Sequence, residues 1–115
     1  AVIAALMDEG LVPWLFAEGR YTSRLETVSD LPEGEMIWHF QDTDLELVRE
    51  TMPEQVTIAG DVSTALLNTR EPEAVTEYCQ DLAERMGPNR FVLSPGVGLD
   101  EAKPENVQAM FEAVR

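Results

Sequence analysis

The side chains with the clearest chemical potential lie in or directly after apolar runs of the sequence. Glu18 closes the first such run, His39 lies inside the second, and Asp61 follows the third. A carboxylate can bind a metal ion or a cation, or exchange a proton, and an imidazole can ligate a metal or carry a proton. We therefore treat Glu18, Asp61 and His39 as candidate catalytic residues, and Glu18 and His39 as candidate metal ligands.

Each of these residues also has a purely structural explanation. Glu18 is close in sequence to Arg20 and Arg24, with either of which it can form a salt bridge. His39 can instead be a hydrogen-bonded packing residue. Asp61 can accept hydrogen bonds from neighbouring loop amides. The sequence leaves both explanations open at all three positions.

Five further polar residues are expected to bind the substrate: Arg20, Tyr21, Arg24, Asp42 and Ser94. The two arginines form a close basic pair, which suits a carboxylate-bearing ligand. Pairing with Glu18 or Glu26 on a helix surface explains them equally well. Asp42 and Asp44 lie where a predicted strand passes into a helix. At least one of them is expected to serve the helix N-terminus, where the backbone dipole favours negative charge.

Four strand-loop-helix units are predicted to position these residues. The four apolar runs cover residues 12–16, 36–40, 55–59 and 90–93. Each run is followed by a polar, glycine-bearing loop and a helical pattern, which is typical of a parallel α/β sheet with its chemistry in the loops after the strands. Periodicity alone does not distinguish half of a barrel from an open doubly wound sheet.

The predicted helices carry their own start signals. Ser23 and Thr43 each stand three residues before a glutamate, the spacing of a capping box. Pro72 and Pro104 fit the first position of the last two helices. Residues 63–68 are predicted to form a short extra helix.

Composition excludes several classes of partner. The chain has 8 Lys and Arg against 22 Asp and Glu, a net charge of −14, so nucleic acids and anionic membranes should be repelled. The single cysteine, Cys79, excludes an internal disulfide framework and fits a reducing cytosol, so we expect a cytoplasmic protein. It falls on an apolar helical face and is predicted to be a core residue.

The remaining apolar residues are predicted to pack. The start, residues 1–7, is too short to span a bilayer and has no basic residues ahead of it. It is predicted to be the end of a buried helix that stops at Gly10 and begins outside this chain. Trp14 and Trp38 are expected to pack between sheet and helices, and the five methionines are expected in the core.

Short motifs along most of the chain resemble the C-terminal part of the uroporphyrinogen decarboxylase superfamily. They are Gly60-Asp61-Val62, Leu66-Leu67, Glu73-Ala74-Val75, Tyr78-Cys79, Phe91-Val92-Leu93-Ser94-Pro95-Gly96 and Pro104-Glu105-Asn106-Val107. This superfamily holds the haem-pathway decarboxylases and zinc-dependent, corrinoid-linked methyltransferases, all of them TIM (β/α)8 barrels. The resemblance implies that residues 1–115 form the C-terminal half of such a domain, strands five to eight, with the first four strands outside this chain.

The sequence departs from the family at its usual zinc ligands. Related methyltransferases show His-x-Cys-Gly after the fifth strand, where this chain has Phe16, Glu18 and Gly19, and a further Cys where it has Val97. The decarboxylases usually carry a histidine at the position of Val97. The segment 16–21 instead resembles a less characterised branch found among anaerobic methyl-transfer proteins. The resemblance therefore implies a harder ligand set, of oxygen and nitrogen atoms rather than thiolates. Such a set is less selective for zinc and also suits other divalent metals.

Three functional hypotheses follow. The first is a cytoplasmic methyltransferase in which Glu18 and Asp61, with or without His39, hold a Lewis-acidic metal. A methyl group passes between a small substrate and a corrinoid on a partner protein. The second is metal-free decarboxylation of a carboxylate-rich tetrapyrrole, gripped by Arg20 and Arg24. The third is an inactive half-barrel that self-associates into a homodimer or larger assembly through its edge strands.

Overall fold

A single parallel sheet organises the molecule. The computed structural model describes residues 1–115 and contains four strands: β1 (Trp14–Ala17), β2 (Met36–Phe40), β3 (Val56–Val62) and β4 (Phe91–Pro95). All neighbouring strands are parallel, and their order in the sheet follows the chain, β1-β2-β3-β4. The predicted α/β class is confirmed, and the architecture is consistent with half of a TIM barrel.

Helices connect successive strands. The chain begins with α1 (Val2–Asp8), and a 3₁₀ turn (Thr22–Arg24) leads into α2 (Leu25–Val28) between β1 and β2. The later helices are α3 (Leu45–Thr51), α4 (Thr64–Thr69), α5 (Pro72–Met86) and, after β4, α6 (Pro104–Glu112). The predicted proline starts of α5 and α6 are confirmed, as is the short extra helix, α4. None of the helices is long and apolar enough to cross a membrane.

Three strands differ from their predicted ranges; β4 runs from Phe91 to Pro95 instead of 90–93. β1 begins at Trp14 because Pro13, just before it, has no N–H for the ladder. β3 continues three residues beyond the predicted end, to Val62, so that Asp61 lies inside the strand and is in register with Ser94. The longer strand fixes the direction of the Asp61 side chain more firmly than a loop would.

Both capping-box predictions are wrong. Ser23 lies within the 3₁₀ turn and caps nothing. At α3 the cap is Asp44, whose Oδ1 accepts hydrogen bonds from the backbone N–H groups of Glu46 and Leu47 at 3.1 and 3.2 Å. The Thr43 hydroxyl turns away and donates to the Gln41 carbonyl, so the residue one position later takes the capping role. The expectation that one of the two aspartates serves this helix is confirmed.

One face of the sheet is covered by helices and forms the core. Met36, Trp38 and Phe40 alternate along β2 towards the helices and are buried. A second buried cluster forms around Cys79, which is confirmed as a core residue. Burial raises the pKa of its thiol to about 11. Four of the five methionines are also buried: Met36, Met52, Met86 and Met110.

The opposite face of the sheet is open. Trp14 and Phe16 lie on it and expose 58% and 48% of their surface. The predicted packing of Trp14 between sheet and helices is therefore wrong, because its position in β1 directs it to the face that no helix covers. Trp38, on the covered face, is only 8% exposed and confirms the prediction for the other tryptophan. The predicted helix before Gly10 is present as α1, but the prediction that it is buried is wrong, since none of its residues is buried.

Candidate functional site

The carboxyl ends of the four parallel strands meet at one edge of the sheet. We call the loops at this edge, residues 18–22, 41–44, 63 and 96–98, the rim. Glu18, Arg20, Tyr21 and Asp42 lie in these loops, and Asp61 and Ser94 lie near the ends of β3 and β4. In barrels built from such units this is the edge that carries the active site.

The first two rim loops are joined by a ladder of hydrogen bonds. Each bond links a backbone N–H to a side-chain oxygen 22 residues away along the chain: Gly19 to Gln41 Oε1 at 3.2 Å, Tyr21 to Thr43 Oγ1 at 3.1 Å, and Asp44 to Thr22 Oγ1 at 3.1 Å. The loops do not continue the backbone hydrogen bonds that join β1 to β2. Side-chain oxygens accept the hydrogen bonds that join the loops instead. The ladder fixes the part of the rim between β1 and β2.

The two arginines predicted to bind substrate make local contacts. Arg20 donates through Nε to the carboxylate of Asp42, and both side chains are exposed. Arg24 donates to the Arg20 carbonyl at 2.9 Å, and its guanidinium lies 4.8 Å from the centre of the Tyr21 ring. The structure therefore brings Arg20, Tyr21, Arg24 and Asp42 together, but pairs the positive charges with partners inside the chain.

Asp61 is the partly buried carboxylate of the site. Its Oδ2 accepts a hydrogen bond from the backbone N–H of Thr43 at 3.2 Å. Burial raises the pKa of the Asp61 carboxyl above its usual value, and the negative charge of Asp42 adds to this, while the hydrogen bond from Thr43 opposes it. A carboxyl in such a position can hold or release a proton closer to neutral pH than an exposed one.

Two glycines allow the backbone to approach Asp61. Gly60 has φ +137°, and a side chain there would place Cβ 2.7 Å from the Phe40 carbonyl oxygen. A side chain at Gly96 would collide with the Asp61 carboxylate. The glycines on either side of this carboxylate are thus required by close packing.

His39 is held on the open face by the end of β4. Its Nε2 lies 2.7 Å from the Pro95 carbonyl oxygen and 3.3 Å from Ser94 Oγ. Because a carbonyl only accepts, this contact places a proton on Nε2, which donates it to the Pro95 carbonyl oxygen. The rings of Phe16 and Trp14 lie beside it, with centroids 5.0 and 6.4 Å away. His39, Ser94 and Asp61 are therefore neighbours across β2, β3 and β4.

Tyr78 was not predicted as a site residue, because it falls within the apolar face of α5. Its hydroxyl donates to the Asp61 carbonyl at 3.2 Å, and burial raises the pKa of that hydroxyl. It helps to enclose a rim cavity of about 310 Å³ with Gln41, Asp42, Asp61, Ser63 and Thr64. One signal in the sequence could have identified Tyr78: the hydroxyl of a tyrosine on an apolar helix face needs a hydrogen-bond partner.

Another cavity, of about 730 Å³, lies at the amino ends of the strands. Arg49 reaches into it and donates to the carbonyls of Met86 and Asn89 at 3.3 and 3.2 Å. These bonds satisfy backbone groups where α5 ends. Since this end of such folds supports stability, we place the functional site at the rim, which also carries a cavity of about 690 Å³ lined by Arg20, Asp61 and Tyr78.

Glu18 lies at the rim but apart from the other acids. It is exposed, and it forms no salt bridge with Arg20 or Arg24. Two inter-strand spacings, roughly 10 Å, separate the ends of its strand and of the Asp61 strand. Both acids thus lie at the same edge of the sheet, but the cavities that Asp61 lines do not include Glu18.

The side chains of this chain do not form a metal site by themselves. No group of three or more His, Cys, Asp or Glu side chains converges in a way that would hold a metal ion. Glu18 and His39 provide two candidate donors, fewer than the three protein ligands of a typical catalytic zinc site.

The fold and the rim define the class of protein: a parallel α/β unit, consistent with half of a TIM barrel, with polar residues at the carboxyl ends of its strands. A comparison with family models matches Uroporphyrinogen decarboxylase (URO-D) over residues 1–115. The chain belongs to the uroporphyrinogen decarboxylase family. A comparison with curated proteins found no match to the chain.

Proposed function

We propose that this chain forms the C-terminal half of the active site of a methyltransferase of the uroporphyrinogen decarboxylase family, which passes a methyl group between a small substrate and a corrinoid on a partner protein. The observation that carries the proposal is the charge of the rim. Asp61 and Glu18 have no cationic partner, whereas Arg20 is paired with Asp42. Such a rim suits a neutral or cationic methylated substrate better than a polyanion.

The alternative, decarboxylation of a tetrapyrrole, needs cationic groups for the carboxylates of the substrate. Arg20 lies in the rim and Arg24 in the 3₁₀ turn just after it, and both are engaged within the chain. Releasing Arg20 from Asp42 would leave that carboxylate unpaired beside an anionic substrate. Val97 stands where the resemblance places the histidine of the decarboxylases and equally a cysteine of the methyltransferases, so this position favours neither reaction. The pairing of the two arginines within the chain supports methyl transfer over decarboxylation.

Asp61 is assigned the role of proton donor. When a methyl group leaves an oxygen, sulfur or nitrogen atom of the substrate, the electron pair of the broken bond remains on that atom. A protonated Asp61 at the rim can deliver its proton to this lone pair. Burial raises the pKa of the carboxyl, which increases the protonated fraction at a given pH. His39, held through Nε2 by the Pro95 carbonyl, presents Nδ1 to orient the substrate.

The proposed reaction involves two cofactors, a corrinoid and a divalent metal ion. A corrinoid on a partner protein would supply the methyl carrier, and zinc or another divalent ion would supply Lewis acidity. Glu18 and His39 are the donors that this chain offers to such an ion. The roles of Asp61 and His39 stated above stand without it.

The test is methyl transfer by the whole protein with its corrinoid partner, comparing Asp61→Asn with the unaltered enzyme. We expect a loss of about 10²-fold or more, since Asn cannot donate a proton of comparable acidity. The unaltered enzyme should slow as pH rises through the raised pKa of Asp61, because the active form is protonated. Glu84→Gln, a change to an exposed acid on α5, is the matched control. Full activity of Asp61→Asn would refute the proposal, and release of carbon dioxide from uroporphyrinogen would favour the alternative.

Self-association is a separate proposal for the isolated chain. β1 and β4 are the edge strands of the sheet, and the aromatic side chains of β1 are exposed beside one edge. Unpaired edges are templates for pairing with another chain. We expect a homodimer or larger assembly at micromolar concentration, and sedimentation as a stable monomer would contradict this.

A further inference from the structure

Asp61 lies where β3 has lost one of its two neighbouring strands. The pairing of β2 with β3 ends at His39 and Ala59, whereas the pairing of β3 with β4 continues through Asp61 to Val62. Asp61 is therefore held by a strand on the β4 side alone. Its peptide and its side chain need other contacts to keep one orientation.

Two hydrogen bonds hold Asp61 where β2 no longer pairs with its strand. The backbone N–H of Thr43 donates to Asp61 Oδ2 at 3.2 Å, and the Tyr78 hydroxyl donates to the Asp61 carbonyl oxygen at 3.2 Å. Gly96 lies against the other carboxylate oxygen, Oδ1. The Tyr78 bond is the one side-chain hydrogen bond that joins α5 to β3. The orientation of the Asp61 peptide therefore depends on a helix of the covered face.

The Tyr78 hydroxyl is itself held in place by the core. The Tyr78 ring packs against both buried clusters of the covered face, the one that includes Phe40 and the one around Cys79. This packing fixes the ring, and the hydroxyl of a tyrosine in such a position takes a hydrogen-bond partner. Tyr78 thus connects the packed core to the carboxylate at the rim.

Asp61 and Tyr78 also share the space around them. Three cavities lie at the rim, of about 310, 690 and 180 Å³, and Asp61 and Tyr78 are the two residues that line all three. A partly buried carbonyl that loses its partner is costly unless water replaces the lost bond. Water that enters from these cavities to bind the Asp61 carbonyl would also hydrate the carboxylate of the same residue.

From these contacts we infer that Tyr78 is a positioning residue for Asp61: its hydroxyl fixes the peptide that carries the carboxyl and keeps water from that peptide. This role requires no contact between Tyr78 and the substrate. Without the hydroxyl, water reaches the carboxyl, and hydration favours its ionised form. The inference rests on the proposed function only in making Asp61 the proton donor.

The charges that face Asp61 stay the same when the hydroxyl is removed. Burial raises the pKa of the Tyr78 hydroxyl, so this group is neutral over the range in which Asp61 titrates. The side chains of β4 and α4 are uncharged. The charged and titratable groups around Asp61 come from β2, the first two rim loops and α5, and are His39, Arg20, Asp42, Asp44 and Arg85. A changed titration of Asp61 in Tyr78→Phe therefore reports hydration and position.

The test compares Tyr78→Phe with the unaltered whole protein, both labelled with ¹³C at the aspartate carboxyls. Phe keeps the ring and its packing, so the variant is expected to fold, and the spectrum of Asp61→Asn identifies the Asp61 signal. We expect the titration of this signal to move to lower pH in Tyr78→Phe, towards that of an exposed aspartate. The alkaline limb of methyl transfer should move the same way. Above it, kcat should be lower by about three- to ten-fold, with KM changed by less than about two-fold.

Thr76→Val is the matched control. Thr76 lies on the same helix, and its hydroxyl donates to a backbone carbonyl, that of Pro72, at 3.1 Å. The change removes a bond of the same kind away from the rim, so thermal stability should fall by a similar amount while the Asp61 titration stays unchanged. An unchanged titration in Tyr78→Phe, a move to higher pH, or equal moves in both variants would overturn the inference.

Two outcomes separate this inference from the proposed function. If the titration moves as expected but Asp61→Asn keeps full methyl transfer, Tyr78 positions Asp61 and the proposed function fails. If Asp61→Asn loses activity while Tyr78→Phe leaves the titration, kcat and KM unchanged, the function stands and the positioning role is refuted.

Discussion

The two faces of the sheet differ in how far their aromatic side chains are buried. On the covered face, Trp38 and Phe40 are buried against helices, whereas on the open face Trp14 and Phe16 are half exposed. The same residue types therefore serve as core on one side and as accessible surface on the other. Because strand residues alternate, a single register decides which aromatic belongs to which face. The comparison teaches that stability should depend on one face and chemistry on the other.

The largest expected effect on stability separates the faces directly. Phe40→Ala should lower the free energy of unfolding by about 3–5 kcal/mol, since Phe40 is fully buried and the change leaves a cavity. Phe16→Ala, the same change on the open face, should cost less than about 1 kcal/mol. Urea denaturation of both variants measures the difference. Equal losses would show that the open face is covered in solution.

The second effect concerns the close approach of β3 to β2. Gly60→Ala should destabilise the fold by roughly 2–3 kcal/mol, because its Cβ would meet the Phe40 carbonyl and its φ of +137° disfavours a side chain. Thermal unfolding followed by circular dichroism measures this change. Gly10→Ala is the control, since Gly10 also has a positive φ, but no atom lies within 4 Å of its added Cβ. A larger loss at Gly10 than at Gly60 would contradict the role of close packing.

A third, smaller effect distinguishes the two acids of the second rim loop. Asp44→Ala should cost about 1 kcal/mol of unfolding free energy, because two backbone N–H groups of α3 lose their acceptor. Asp42→Ala should cost less, since its pair with Arg20 is exposed to solvent. Urea denaturation at low salt compares them, and the reverse order of losses would contradict the capping role of Asp44.

The smallest expected effect is a pH dependence. The folded pKa of Asp61 is raised, so between the unfolded and the folded pKa the folded state binds more protons. The contribution of this carboxyl to stability is therefore most favourable at low pH and is lost as pH rises through the folded pKa. Asp61→Asn should gain stability relative to the unaltered chain as pH increases over that window. Unfolding curves of both proteins at matched pH values measure the gain, and a constant difference would contradict the raised pKa.

Sequence patterns predicted the sheet better than the site. The apolar runs placed all four strands, and the prolines at positions 72 and 104 placed two helix starts, because these signals are local. The face to which Trp14 belongs was not predictable, since alternation gives the period but not which side the helices cover. Tyr78 was missed because its contact with the Asp61 carbonyl spans 17 residues and two elements. The observed cap of α3 is Asp44, one residue after the predicted Thr43. The capping-box spacing alone did not predict this difference.

The central claim is that the open face at the carboxyl ends of the strands carries out the chemistry while the covered face holds the fold. The most direct measurement is the methyl-transfer rate of the whole protein carrying Phe16→Ala, with its unfolding free energy measured on the same preparation. The account predicts a rate loss of at least about ten-fold with stability changed by less than about 1 kcal/mol. An unchanged rate, or a rate that falls only in step with stability, would contradict it.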